Sequence, residues 1–81
     1  MTLKEISSWV KTYTKDLLTY TISKVHQNEL AEDLVQDTFL SAYQSYENYK
    51  GRSNVKTWLF SILKHKIADH YRSKYKQNIE A

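Results

Sequence analysis

Apolar residues recur every three or four positions along most of this chain, which is the spacing of helices that bury one face. The first such stretch contains Leu3, Ile6, Val10 and Tyr13 and continues with Leu17, Leu18, Thr21, Ile22 and Val25. Thr14 and Asp16 can cap a helix. The pattern therefore predicts either a break near Thr14 or one continuous helix to about Val25.

A second helix is predicted after the short polar turn His26-Gln27-Asn28, with Asn28 as its N-cap and an end near Tyr46. Its core-facing positions are Leu30, Leu34, Val35, Thr38, Phe39 and Ala42. Glu29, Glu32 and Asp33 crowd its first turn, where the helix dipole favours negative charge.

Residues Glu47 to Asn54 contain the single glycine of the chain and no apolar periodicity, which indicates a loop. Ser53 or Asn54 then caps a long last helix to about Lys76. Its apolar positions are Val55, Trp58, Leu59, Ile62, Leu63, Ile67 and Tyr71. The predicted fold is an all-α, compact three- to four-helix bundle with a functional loop before the last long helix. The domain covers residues 1–76, and residues 77–81 form a frayed end or the start of a linker.

Composition narrows the class of protein. The 81 residues contain no proline and no cysteine, so packing alone must stabilise the fold. No apolar run approaches the roughly 20 residues that span a membrane, and the N-terminus lacks the pattern of a signal peptide. A cytoplasmic location is the simplest interpretation. His65 and His70 are five positions apart and do not share a helix face, which makes them a poor zinc pair. The sequence also has no Glu-x-x-His motif and no glycine-rich phosphate cradle, so we predict no metal site, no cofactor and no catalytic residue.

Charge is distributed unevenly. Residues 1–46 hold four lysines against six carboxylates, a net −2, whereas residues 47–81 hold eight basic residues against three carboxylates, a net +5. The first part suits a basic or neutral partner and the second an anionic one.

The predicted second helix carries a second stripe on a different face: Asp33, Gln36, Asp37 and Leu40. A solvated face explains part of this acidity. A leucine between polar acceptors is also typical of an interface core with a polar rim, which favours a protein-binding surface.

The loop carries chemistry that suits nucleic acid. Tyr43, Tyr46 and Tyr49 lead into Lys50-Gly51-Arg52-Ser53-Asn54. Tyrosine can stack on unpaired bases, basic side chains bind phosphate, and serine and asparagine can contact base edges. Alternatively, the tyrosines complete the core. The predicted DNA-binding residues are Tyr49, Lys50, Arg52, Ser53, Asn54, Lys56, Lys64, Arg72 and Lys74.

Four motifs give the chain a resemblance to region 2 of sigma-70 family sigma factors, in particular the extracytoplasmic-function (ECF) group. They are Ala31-Glu-Asp-Leu-Val-Gln-Asp-Thr-Phe39, Tyr49-Lys-Gly-Arg-Ser53, Thr57-Trp-Leu-Phe60 and Asp69-His-Tyr-Arg72. Taken singly they are modest, but in this order and spacing they are specific.

The resemblance implies a sigma factor module that initiates transcription. Asp33, Gln36, Asp37 and Leu40 would bind the β′ clamp helices of core RNA polymerase. The loop Tyr49–Asn54 would capture a flipped base of the promoter −10 element on the non-template strand. Such factors normally carry a second domain, region 4, which does not follow here. The chain is then either an excised domain or a stand-alone region-2 protein that works with a separate region-4 partner or is held by an anti-sigma factor. A protein-interaction module and an unrelated helical nucleic-acid binder remain as alternatives.

Overall fold

The computed structural model describes the backbone of residues 3–49 and 54–80, and the side chains of residues 4–49 and 54–75. These residues form three helices: α1 (Leu3–Val25), α2 (Asn28–Tyr49) and α3 (Val55–Glu80). Each helix packs against both of the others. The predicted all-α bundle is confirmed, with three helices in the described part of the chain.

Helix α1 runs without a break through Thr14. The Thr14 hydroxyl donates a hydrogen bond to the Val10 carbonyl 2.5 Å away, so this side chain is satisfied within the helix and does not act as a cap. The helix ends at Val25, and His26 directly after it adopts the left-handed region with φ 58°. The His26 N–H bonds the Ile22 carbonyl at 2.9 Å, the arrangement of an αL helix end.

The N-cap of α2 lies one residue before the predicted one. The Ala31 N–H bonds the Gln27 carbonyl at 2.9 Å, so Gln27 occupies the N-cap position and Asn28 is the first helical residue. The predicted cap at Asn28 is therefore wrong by one position. The helix also continues to Tyr49, past the predicted end at Tyr46, because aromatic contacts described below hold its last turn.

Helix α3 begins directly after Asn54, which confirms one of the two predicted caps. The Asn54 side-chain oxygen accepts hydrogen bonds from the backbone N–H groups of Lys56 (2.8 Å) and Thr57 (3.4 Å). The helix runs to Glu80 and not to about Lys76, so residues 77–80 are helical. No glycine or proline lies between residues 55 and 80 to stop it.

The core lies along the line where the three helices meet. Leu17, Leu59 and Leu63 are completely buried and join α1 to α3 around the inner face of α2. Two threonines, Thr21 and Thr38, are equally buried, and each hydroxyl donates to the carbonyl four residues earlier in its own helix. Because these hydroxyls find a local partner, they add no unsatisfied polar group to the core.

Candidate functional site

The outer stripe of α2 faces solvent over its whole length. Asp33, Gln36, Asp37 and Leu40 are all exposed, and Leu40 leaves 56% of its surface accessible. The opposite side of α2 is buried in the core. The stripe is therefore available to a partner without disturbing the packing of the helix.

A groove between α1 and α2 runs beside this stripe, with a volume of about 310 Å³. Its lining is mostly apolar, and its residues are Val10, Thr14, Leu18, Glu32, Val35, Gln36 and Phe39. The α1 wall was not expected from the sequence, which placed Val10 on the core stripe. Val10 is 40% exposed, because the core side of α1 at this level is supplied by its neighbours Trp9 and Tyr13.

A second depression continues the apolar surface toward the start of α1. It is lined by Ile6, Phe39, Leu40 and Tyr43. Tyr43 is 45% exposed, so it does not complete the core as the alternative interpretation held. Leu40 thus belongs to an apolar patch bordered by carboxylates, which suits a partner with apolar and basic side chains.

Four aromatic rings meet at the junction where α2 ends and α3 begins. Tyr49 stacks on Trp58 with ring centroids 4.0 Å apart and planes 8° apart. Trp9 meets Trp58 edge-on at 5.9 Å, and Tyr46 lies 6.2 Å from Trp9 and 6.1 Å from Tyr49. We call Trp9, Tyr46, Tyr49 and Trp58 the aromatic cluster.

The position of Tyr49 differs from the sequence prediction. Tyr49 is only 7% exposed, and one face of its ring is covered by Trp58. With that face covered, Tyr49 offers little surface for stacking on an unpaired base, and its role as a DNA contact stays a prediction. Its ring instead fixes the end of α2 against the start of α3.

The candidate loop is only partly described. Lys50, Arg52 and Ser53 lie outside the described residues. Asn54 is exposed, and its side-chain oxygen is engaged in capping α3. The amide nitrogen of the same side chain is a separate donor group.

The predicted basic residues do not form one pocket. Lys56 and Lys64 line the same shallow depression with Thr57 and Phe60. Arg72 pairs with Asp69 at 2.7 Å, and Lys74 lies beside His70 and Ser73. From Lys56 to Lys74 the axial rise is about 27 Å at 1.5 Å per residue, so these side chains are distributed along α3.

The side of α1 that faces α3 carries residues that were not predicted from the sequence to be functional. Asp16 pairs with Lys56 at 3.3 Å. Tyr20 meets Phe60 edge-on at 5.5 Å, and the Lys24 ammonium lies 5.4 Å from the centre of the Tyr20 ring. The i, i+4 spacing of Tyr20 and Lys24 can be seen in the sequence, but the sequence does not reveal that both residues lie close to α3.

Within residues 3–49 and 54–80 no helix combines the length and the apolar character needed to cross a lipid bilayer. In that same part of the chain, no three His, Asp or Glu side chains are grouped so that they could hold a metal ion.

Comparison with known proteins identifies the family. The family model for Sigma-70 region 2 matches residues 8–77. A probable RNA polymerase sigma factor from Haemophilus influenzae is 52% identical over 58 residues, covering 72% of this chain and 30% of its own length. The ECF RNA polymerase sigma factors SigX and SigM of Bacillus subtilis are 38% identical over 61 residues and 35% identical over 77 residues. These two alignments cover 75% and 95% of this chain, but 31% and 45% of the relatives.

No solved structure gave a significant match. The chain spans less than half the length of the curated relatives described here. The family match nevertheless covers most of the chain and includes all four motifs quoted above, so the resemblance seen in the sequence is confirmed. This chain belongs to the Sigma-70 region 2 family.

Proposed function

We propose that this chain is the part of an ECF-type sigma factor that joins core RNA polymerase to the −10 promoter element during transcription initiation. The observation that carries this proposal is the separation of two unlike surfaces on one small bundle. An acidic, apolar surface lies along α1 and α2, and a basic one lies along the first half of α3. Such a bundle can bind a protein and DNA at the same time.

The polymerase-binding surface is assigned to Asp33, Gln36, Asp37 and Leu40. Leu40 supplies an exposed apolar contact, and the depression beside it accepts an apolar side chain from a partner. The carboxylates around it favour a basic partner and speed its approach. A coiled coil such as the β′ clamp helices offers both kinds of side chain along one face. A cytoplasmic location follows from this partner.

The DNA-binding surface is assigned to the loop Tyr49–Asn54 with Lys56 and Lys64. Stacking of Tyr49 on Trp58 fixes the end of α2, and the Asn54 cap fixes the start of α3. The two ends of the loop are therefore held by rigid elements, as a base-reading site requires. The loop residues Lys50, Arg52 and Ser53 remain predicted contacts to the non-template single strand. Arg72 and Lys74 remain predicted contacts to the flanking DNA.

Two variants test the polymerase surface by titration against the isolated β′ clamp helices. Leu40→Ala removes the exposed apolar contact, and we expect an affinity loss of about tenfold, as for a central interface residue. Tyr75→Ala is the matched control, because Tyr75 is 67% exposed but lies on α3. Equal affinities of the two variants would refute the assignment of this surface.

Charge reversal provides an independent test on the same helix. Asp37→Lys should weaken clamp-helix binding more at low salt than at high salt, because the lost attraction is screened by ions. Asp69→Lys is the control, since it makes the same charge change on α3. A salt-independent loss, or an equal loss in both variants, would argue against an electrostatic role of Asp37.

A further inference from the structure

We propose that the seam between α1 and α3 binds the phosphodiester backbone of DNA, and that Lys24 on α1 is one of its contacts. This inference rests on the proposed DNA-binding function and extends it to a helix whose residues carry no predicted DNA contact. We call the residues Tyr20, Lys24, Lys56, Phe60 and Lys64 the basic seam.

Two aromatic rings form the floor of the basic seam. Tyr20 from α1 and Phe60 from α3 meet edge-on with centroids 5.5 Å apart. Both rings are half-buried, so each fills the space between the helices and keeps part of its surface accessible. This contact brings the facing sides of α1 and α3, and the lysines that they carry, together.

Two ammonium groups from different helices converge on the same ring. The Lys24 nitrogen lies 5.4 Å from the Tyr20 centroid, and the Lys64 nitrogen lies 6.0 Å from it. Both side chains are exposed. An anion near this ring would therefore be attracted by both ammonium groups. The phosphate groups of a nucleic acid are anions that carry their charge along a line, as the seam does.

The seam continues at its other end with the depression formed by Lys56, Thr57, Phe60 and Lys64. Lys56 and Lys64 are about 12 Å apart along α3 at 1.5 Å per residue, so the lysines form a row along this depression. A row of cations beside a groove suits an extended, charged chain better than a small anion. Lys56 also lies two residues after Asn54, so the row leads directly to the loop that the proposed function assigns to base capture.

Asp16 limits this attraction. Its carboxylate pairs with the Lys56 ammonium at 3.3 Å, and both side chains are about half exposed. A phosphate that approaches Lys56 must compete with this carboxylate. Asp16 therefore lowers the affinity of the seam for DNA, and its removal should raise that affinity.

The test compares two α1 lysines that differ only in position. Lys24→Gln removes a seam charge, whereas Lys15→Gln removes an exposed charge on the opposite side of α1, nine residues or about 180° away. Binding of the 81-residue chain to a fluorescent oligo(dT) and to a −10 single strand is measured by anisotropy over a range of salt concentrations. Circular dichroism verifies that each variant is helical.

Lys24→Gln should weaken binding to both oligonucleotides about threefold to fivefold relative to Lys15→Gln. It should also reduce the slope of log affinity against log salt by about 0.7, the value for one phosphate contact on a single strand. Asp16→Asn should strengthen binding to both. Equal affinities and slopes for the two lysine variants would overturn the proposal.

The same data separate this inference from the proposed function. A selective loss in Lys24→Gln without any preference for the −10 sequence would support the seam and contradict base recognition by the loop. A preference for the −10 sequence, together with equal binding by Lys24→Gln and Lys15→Gln, would support base recognition by the loop and contradict the seam. If the wild-type chain binds neither oligonucleotide, both are refuted.

Discussion

Removal of the Trp58 ring should destabilise the bundle at the place that supports the proposed DNA-binding loop. Trp58 stacks on Tyr49 at 4.0 Å and meets Trp9 edge-on at 5.9 Å. Each such pair contributes about 0.5–1.5 kcal/mol beyond its buried area. A tryptophan truncated to alanine costs about 3–5 kcal/mol in a closed core. Because Trp58 is half-buried, we expect Trp58→Ala to lower the free energy of unfolding by about 3 kcal/mol.

Thermal unfolding followed by circular dichroism measures this loss. For a domain of this size each kcal/mol shifts the midpoint by about 4–8 °C, so the midpoint should fall by about 12 °C or more. Tyr75→Ala on the same helix is the control and should change it little, since Tyr75 is mostly exposed. A loss below about 1 kcal/mol for Trp58→Ala would refute the role given to the aromatic cluster.

A double-mutant cycle isolates the stack itself. Tyr49→Phe keeps the ring at this position, whereas Tyr49→Ala removes it. Only Tyr49→Ala should therefore show a coupling free energy with Trp58→Phe or Trp58→Ala. The expected coupling free energy between Tyr49→Ala and Trp58→Ala is about 0.5–1.5 kcal/mol. Additive losses would show that the two rings stabilise the bundle independently. If Trp58→Ala does not fold, the cycle with Trp58→Phe still reports the contact.

Three further substitutions test separate contacts through urea denaturation. Asn54→Ala should lower the free energy of unfolding by about 1 kcal/mol, while Asn54→Ser keeps a cap oxygen and should lose much less; the opposite order would contradict the cap. Tyr71→Phe removes the hydroxyl that donates to the Lys24 carbonyl at 2.6 Å and should cost about 0.5–1.5 kcal/mol, so an unchanged midpoint would argue against that bond. Leu63→Ala opens a cavity in the completely buried core and should cost about 2–5 kcal/mol, whereas a cost near zero would place Leu63 outside the core.

The sequence was sufficient to predict which residues lie on the inner faces of the helices. The helical spacing of Leu17, Leu59 and Leu63 placed them in the core, and all three are completely buried. The ends of the helices were less well predicted, because they depend on contacts between elements. The last turn of α2 is held by the stack of Tyr49 on Trp58, which no local pattern reveals.

The candidate surfaces, too, were only partly predicted from the sequence. Asp33, Asp37 and Leu40 were predicted to be exposed because they share a helix with buried residues on its other side, and they are exposed. The contribution of α1 was not predictable, since it depends on how that helix lies across the other two. Val10 and Lys24 therefore emerged only from the structure, on the α2 side and the α3 side of α1.

We propose that this chain connects core RNA polymerase to the −10 single strand. The most direct test is the retention of a fluorescent −10 non-template strand by immobilised core polymerase, with and without the chain. We expect retention only when the chain is present, with a preference over a scrambled strand, and a loss of retention with Asp37→Lys. Equal retention without the chain, or unchanged retention with Asp37→Lys, would contradict it.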